Sequence, residues 1–465
     1  MTNKKIKSAY VELVGTNAEE VTGSASLVRF LDYSILVDYG LRQSGNDKED
    51  YITNLKRNKD IKPKKLDAII LTHAHIDHSG LIPKLYAEGA DCPLYIPKGT
   101  KGLLTIMWQD CVKIFNADYD RYKRTPLYTQ DNIDTALKHI KECDIHKTRK
   151  INDNIKFTYI NAQHIVKSRQ VYMEMTDGVN KKTLGITGDI SDYDSRYWLS
   201  PLDELPYCDL IIGESTYANK KRLYKNRDRA TDINKLSMTI KYALENRSKV
   251  IIPTFSLNRL QDMMSVIYEM YDGDIPIDII IDAPLGINIS KIWHKLIDCD
   301  NDLWDKVKSC NKFQYVTEFK DSQRFNDSCE PMIVICGGGF LQGGRATYWC
   351  KNNLSNPKSY IVFCGYSTPT SPAGKIKSGK ATKVKIDDVW IENLAQIVTL
   401  NSFSSHCDYA HLLNYYSNLK FSKLCLVHGE HGKRTEFIKS LQKELAKQSS
   451  TSKVVEHEIN TKIHF

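Results

Sequence analysis

Leu66-Asp67-Ala68-Ile69-Ile70-Leu71-Thr72-His73-Ala74-His75-Ile76-Asp77-His78-Ser79-Gly80 decides how the rest of this 465-residue chain is read. Residues 68–71 are an apolar run of the kind buried strands use. Three imidazoles and a carboxylate follow within six residues, which no packing requirement explains. Side chains alternate along an extended backbone, so His73 and His75 share one side while Asp77 and His78 turn toward a second point beside it. That arrangement suits two metal ions rather than one. Imidazole nitrogen and carboxylate oxygen are zinc ligands, and a catalytic zinc keeps one position open for water. The plain structural alternative is a polar turn opening a helix; a lone histidine would favour it, four such groups together do not.

The same design recurs downstream. Residues 156–164 form an apolar strand ending in His164, residues 184–189 end in Asp189, and residues 424–428 end in His428. One strand-terminal histidine is more often a satisfied core residue bonded to a backbone carbonyl. Four strand ends delivering only histidine and aspartate argue for a site, because loops of layered α/β folds converge at one sheet edge.

Around these ends the chain alternates strand and helix, as α/β layering requires. Residues 10–14 and 34–38 read as strands with a turn and the start of a strand at 22–26 between them, 43–58 first as a plain surface loop and second as a loop or mobile helix over the site, 81–89 as a helix and 93–97 as a strand. Residues 101–150 read as largely helical, with His139 and His146 as surface residues among lysines. A domain's worth of sequence separates Asp189 from His428. Its β-branched runs at 250–254, 279–282, 331–336 and 360–366 alternate with helical stretches at 260–271 and 346–353, which predicts a second, parallel α/β sheet.

Composition sets the outer bounds. Hydrophobic residues at 41% and charged residues at 26% are ordinary globular usage, and the length predicts two or three domains. The net charge of +9 fits a polyanionic partner without requiring one. Twelve scattered cysteines show no Cys-x-x-Cys pair, and read as reduced thiols rather than a disulfide framework. Residues 1–8 lack the apolar stretch of a signal peptide, and no run approaches the ~18 apolar residues of a membrane span. The expectation is a soluble intracellular protein, cytoplasmic or nuclear, with no membrane partner.

Taken in order, His73, His75, Asp77, His78, His164, Asp189 and His428 resemble the ligand motifs of the metallo-β-lactamase superfamily, and Asp38 matches the acidic residue of its first motif. The resemblance implies an αββα sandwich and two zinc ions. On that pattern His73, His75 and His164 hold one, Asp77, His78 and His428 hold the other, and Asp189 bridges them. A water shared by two divalent cations loses a proton near neutral pH and becomes a nucleophilic hydroxide. The fold alone leaves the substrate open, since lactamases, thioesterase-like hydrolases, flavodiiron proteins and nucleases share it. The insertion narrows the choice: Glu214, His406 and His428 are similar to motifs A, B and C of the β-CASP nucleases, and the inserted stretch is similar to their β-CASP domain. Histidine at motif C resembles the RNA-processing members, such as the 3′-end endonuclease subunit of the pre-mRNA cleavage machinery. Residues 1–217 and 396–465 are then the lactamase-type domain, and 218–395 the β-CASP domain.

This family pattern implies a zinc-dependent ribonuclease that cuts single-stranded RNA internally. Asp77 accepts a proton from water, His406 is the general acid, and Glu214 orients it and keeps it protonated. The structural alternative for His406 is a helix-opening residue, with Asp408 capping a helix over 409–419. Ser404, Arg259 and Arg345 are the candidate substrate contacts; guanidinium forks suit phosphates, though salt bridges explain the two arginines nearly as well. Glycines 337–339 and 343–344 are not a Walker loop, since no Gly-Lys-Ser/Thr follows, and the basic stretch 375–380 reads first as a solvated face. Two departures stand out. Gln163 and Lys167 flank His164 where relatives carry glycine, and Ala218-Asn219-Lys220 replaces the usual Gly-Asp. The competing readings are a 5′–3′ exoribonuclease of RNase J type, a catalytically silent RNA-binding or scaffolding subunit, and a small-molecule hydrolase. All seven ligands are present, against the second; the long insertion stands against the third. Homodimerisation and accessory processing proteins stay open as partners.

Overall fold

Strict alternation builds the first sheet. Along Ala9–Leu13, Ser26–Phe30, Tyr33–Val37 and Ala68–Ile70, residues Val11, Leu13, Val28, Phe30, Val37 and Ile70 face one way, and Leu27, Leu36 and Ile69 lie buried on the other. The computed structural model describes residues 9–192, 201–219, 228–298, 302–365, 367–432 and 434–465. The N-terminal segment 1–8 and Lys220, both used in the sequence reading, lie outside the described residues, as does Tyr366.

The chain divides into two compact units, one of Met1–Gln43, Lys48–Tyr224 and Ser405–Phe465, the other of Ser44–Asp47 and Lys225–Ser404. In the first, two seven-stranded sheets face each other. The first sheet's inner residues meet Phe157, Tyr159, Val171, Met173, Leu184, Leu210 and Val427 of the second in one shared core. Behind the second sheet, helices Tyr409–Asn418 and Thr435–Lys447 bury Leu412, Tyr416, Phe437 and Leu441. Each such side chain stabilises by roughly 1.5–3 kcal/mol. Helices Ile82–Ala87, Lys101–Tyr122 and Gln130–Lys138 bury Leu85, Leu103, Leu104, Trp108 and Ile133, completing a helix–sheet–sheet–helix sandwich.

The second unit is a six-stranded sheet, parallel throughout, in the order Phe313–Tyr315, Ile279–Asp282, Met332–Gly337, Lys249–Thr254, Tyr360–Phe363, Gln396–Thr399. Its central strands are near-continuous Ile/Val runs because helices cover both faces.

Several elements depart from the sequence reading. Ile140–Cys143 and Arg149–Lys150 are strands inside the stretch read as largely helical, whereas Ser26–Phe30 is the strand that the segment 22–26 leads into. Gln396–Thr399 pairs with Tyr360–Phe363, so the second unit runs to Ser404 rather than stopping at 395: Ile397, Val398 and Thr399 extend its parallel ladder. The hairpin of Lys383–Ile386 and Val389–Glu392 turns through Asp387 and Asp388, at φ 48° and 64°, as a two-residue primed turn requires.

Asp408 does cap a helix: its side chain accepts from the backbone N–H of His411, 3.0 Å away, at the start of Tyr409–Asn418. The His411 Nδ1 lies 2.8 Å from both Asp408 and Asp192, and these hydrogen bonds raise its pKa to about 9. A group raised in the folded state stabilises fully below its unfolded pKa near 6.5, and that stabilisation is lost as pH climbs toward 9. Discounted for partial exposure, the loss is about 1 kcal/mol. Urea unfolding of wild type and His411→Gln at pH 6 and 9.5 is expected to show the wild type falling by that much more.

Candidate metal and acid site

The loop after Ala68–Ile70 is held before it reaches its first histidine. Thr72 donates its backbone N–H and its hydroxyl to the two Asp38 oxygens, each at 2.8 Å. Asp38 takes a left-handed φ of 60° and also accepts from His78 Nδ1 at 2.8 Å. That bond leaves His78 Nε2 to face Asp189. Gly40 is required beside the motif: a Cβ there would lie 1.7 Å from the Asp77 carbonyl oxygen. Its neighbours Tyr39 and Leu41 donate to the carbonyls of His78 and Ile76 at 2.8 and 2.9 Å, splinting the short helix Ile76–Ser79.

Two groups of ligand-type atoms result. In one, His75 Nδ1 lies 3.2 Å from His73 Nε2 and 3.1 Å from His164 Nε2, with Asp189 Oδ2 at 3.7 and 3.5 Å from the latter two. In the other, Asp189 Oδ1 is 3.3 Å from His78 Nε2 and 3.4 Å from His428 Nδ1, while Asp77 Oδ2 is 3.4 Å from His428 Nε2. The two Asp189 oxygens thus face different groups, and among the described residues buried Oδ1 accepts no hydrogen bond. Burial, reinforced by neighbouring imidazoles, holds His73 and His164 well below the usual histidine range and His75 at about 4. Their lone pairs are therefore available. His78 is pushed down by burial but carried well above its ordinary value by Asp189 and Asp38. Burial likewise opposes ionisation of Asp189 and Asp77, yet both end below the usual carboxylate range, Asp189 through His428 and His78, Asp77 through its bond to His428. A three-histidine, one-carboxylate group beside a two-histidine, two-carboxylate group fits divalent cations of the zinc type.

The ring of His164 is oriented through its other nitrogen, with Nδ1 2.6 Å from the Ser405 carbonyl. Beside it, 4.5 Å between centroids, lies His406. His406 Nδ1 is 3.1 Å from Glu214 Oε1, which also accepts from the Ile190 N–H at 2.8 Å; Glu214 Oε2 accepts from Thr216 Oγ1 at 2.6 Å. Burial pulls His406 down, but Glu214 outweighs it and leaves the imidazole above its ordinary pKa. The left-handed φ values of Gln163 (58°) and Lys167 (60°) show that the backbone around His164 adopts the glycine-favouring geometry even without glycine.

The three proposed substrate contacts belong to the second unit. Arg259 is buried and its Nη1 meets Asp262 Oδ2 at 2.5 Å. Arg345 donates to Ser322 Oγ at 2.7 Å and to the Thr317 carbonyl at 2.9 Å, and its Nε lies 3.5 Å from buried Asp282. Ser404 is buried. His139 and His146 pair with Asp91 and Asp203, at 3.0 and 2.8 Å, away from the ligand groups.

Thr72 and Thr216 escaped the sequence reading because threonine carries no ligand signature; only their place beside Asp38 and Glu214 reveals them. Asp38→Asn is expected to weaken cation binding at the His78 position by about 10–100-fold, measured by chelator competition, because the ring loses its orienting carboxylate.

Three family descriptions match along the chain: the metallo-beta-lactamase superfamily over residues 18–133, the Beta-Casp domain over 260–376, and the Zn-dependent metallo-hydrolase RNA specificity domain over 390–452. The chain belongs to the β-CASP branch of the metallo-β-lactamase superfamily of metal-dependent hydrolases. It is 29% identical over 458 residues to the transcription termination factor FttA of Methanocaldococcus jannaschii, covering 93% of this chain and 69% of that protein. It is 27% identical over 423 residues to ribonuclease TTHA0252 of Thermus thermophilus, covering 90% and 92% respectively. A crystal structure of a protein of unknown function from Enterococcus faecalis shares the fold, with TM-score 0.54 and 12% identity over 98% of this chain and 100% of that one. Among the described residues no helix is long and apolar enough to cross a membrane, and the cysteines are free thiols.

Proposed function

We propose that this chain is a ribonuclease that hydrolyses internal phosphodiester bonds of single-stranded RNA with two zinc ions. The observation that carries the reading is the sharing of one buried carboxylate, Asp189, between two ligand groups, with the His406–Glu214 pair beside them. The similarity to a protein named as a ribonuclease and the match to an RNA specificity domain support RNA as the polymer. His73, His75, His164 and Asp189 would hold one ion, and Asp77, His78, Asp189 and His428 the other. Bound there, the pair would activate water and neutralise the phosphate's non-bridging oxygens. The protein's own groups manage the protons. Asp77 accepts one from the attacking water. His406, with Nδ1 held by Glu214, delivers one from Nε2 to the departing oxygen. Arg259 and Arg345, paired with Asp262 and Asp282, stay candidate contacts for backbone phosphates.

The test is incubation of 5′-labelled RNA and single-stranded DNA with purified protein, alongside metal analysis. Internal RNA fragments and about two zinc equivalents per chain are expected. Mononucleotides released from the 5′ end would replace this reading with exonuclease action, and intact RNA with a fully metallated protein would end it.

A further inference from the structure

His428 sits at a reversal of the backbone, with a φ of 53°, and three stitches hold that reversal against residues 17–20. The His428, Gly429 and His431 N–H groups donate to the carbonyls of Asn17, Glu20 and Glu19 at 2.6, 3.0 and 2.9 Å. The carbonyls on the other side of the turn are gathered by one side chain. Arg434, 1% exposed, donates Nη1 to the Leu426 carbonyl at 2.6 Å, and Nη2 to the Ala18 carbonyl at 3.0 Å and to the Gly429 carbonyl. Leu426 and Gly429 bracket His428, so one rigid planar fork fixes both flanks of the ligand and the loop against which it rests.

The choice of arginine there runs against local rules. Arg434 is the N-cap of Thr435–Lys447, a position that favours Ser, Thr, Asp or Asn and disfavours positive charge. Its nearest carboxylate, Glu456, is 3.9 Å away. A buried cation kept in so unfavourable a place marks a geometry the chain needs.

We infer that Arg434 is a positioning residue for His428, and through it for the second cation position alone. The inference rests on the two-ion reading above. Among the described residues His73, His75 and His164 make no hydrogen bond or ring contact with Arg434 or with the turn it braces, so the first position meets that turn only through the shared Asp189, 3.4 Å from His428.

Wild type, Arg434→Lys and Arg434→Met are compared by metal content per chain across a chelator series, with thermal unfolding of each metal-free protein. Lysine keeps the charge but its single ammonium cannot span three carbonyls. The expected result is that both folded variants keep the first equivalent at wild-type affinity and bind the second at least about tenfold more weakly, with Met the weaker. Two equivalents held as tightly as in wild type would overturn the inference. So would equal weakening of both positions, or failure of both variants to fold, either of which makes Arg434 a general stabiliser. A wild type that binds fewer than two equivalents would instead overturn the two-ion reading itself.

Discussion

Asp189→Asn is expected to leave a folded chain that has lost at least one cation equivalent and whose RNA cleavage falls by on the order of 10³-fold or more. Each oxygen of this carboxylate faces a different ligand group, 3.3 to 3.7 Å from two imidazole nitrogens on either side. An amide keeps an acceptor toward one group and presents N–H donors to the other, where they displace a cation. Losing several kcal/mol of charge neutralisation in the transition state accounts for the drop, at 1.36 kcal/mol per factor of ten. Metal analysis beside single-turnover cleavage checks it. A variant with both ions and a rate within tenfold of wild type would remove Asp189 from the bridging role.

The second large effect is His406→Ala, for which kcat on RNA should fall about 10²–10⁴-fold while both cations stay bound. His406 lies 13% exposed against Glu214, its ring tilted against that of His164 and stacked beside that of His428. If it protonates the departing oxygen, the loss depends on how much that oxygen needs a proton. Bis(4-nitrophenyl) phosphate, whose leaving group departs as a stable phenolate, should lose less than about tenfold in the same variant. Equal losses on RNA and on the activated ester would exclude the acid role and leave His406 as a packing or binding residue.

The residues that gather into the two candidate ligand groups were legible in the sequence because metal-ligand chemistry is loud: four strand ends closing in His or Asp have few structural explanations. The strands of the second unit were legible for a related reason, since Ile279-Ile280-Ile281 and its like, buried on both faces, suit little else. The family resemblance carried the pairing of ligands, which spacing alone leaves open. What stayed hidden depends on contacts made by unremarkable groups. Thr216 joins Glu214 to His428 through a hydroxyl, 2.6 Å from one and 2.9 Å from the other. The boundary near 396 was misplaced because Ile397-Val398-Thr399 is equally good strand sequence in either unit, and only its partner decides. The partners of Arg345, Ser322 and the Thr317 carbonyl, were equally hidden, because a guanidinium reads alike in sequence whatever it meets.

The strand Phe421–Val427 lies inside the second sheet, flanked by Cys208–Glu214 and Lys453–Glu456. During synthesis the ribosome must therefore emit more than two hundred further residues after Glu214 before that strand can take its place and bring His428 to the ligands already made. Until then Cys208–Glu214 is an open sheet edge, inviting pairing with other chains. In a nascent copy the second candidate ligand group is thus incomplete during the same interval in which the chain is most open to aggregation.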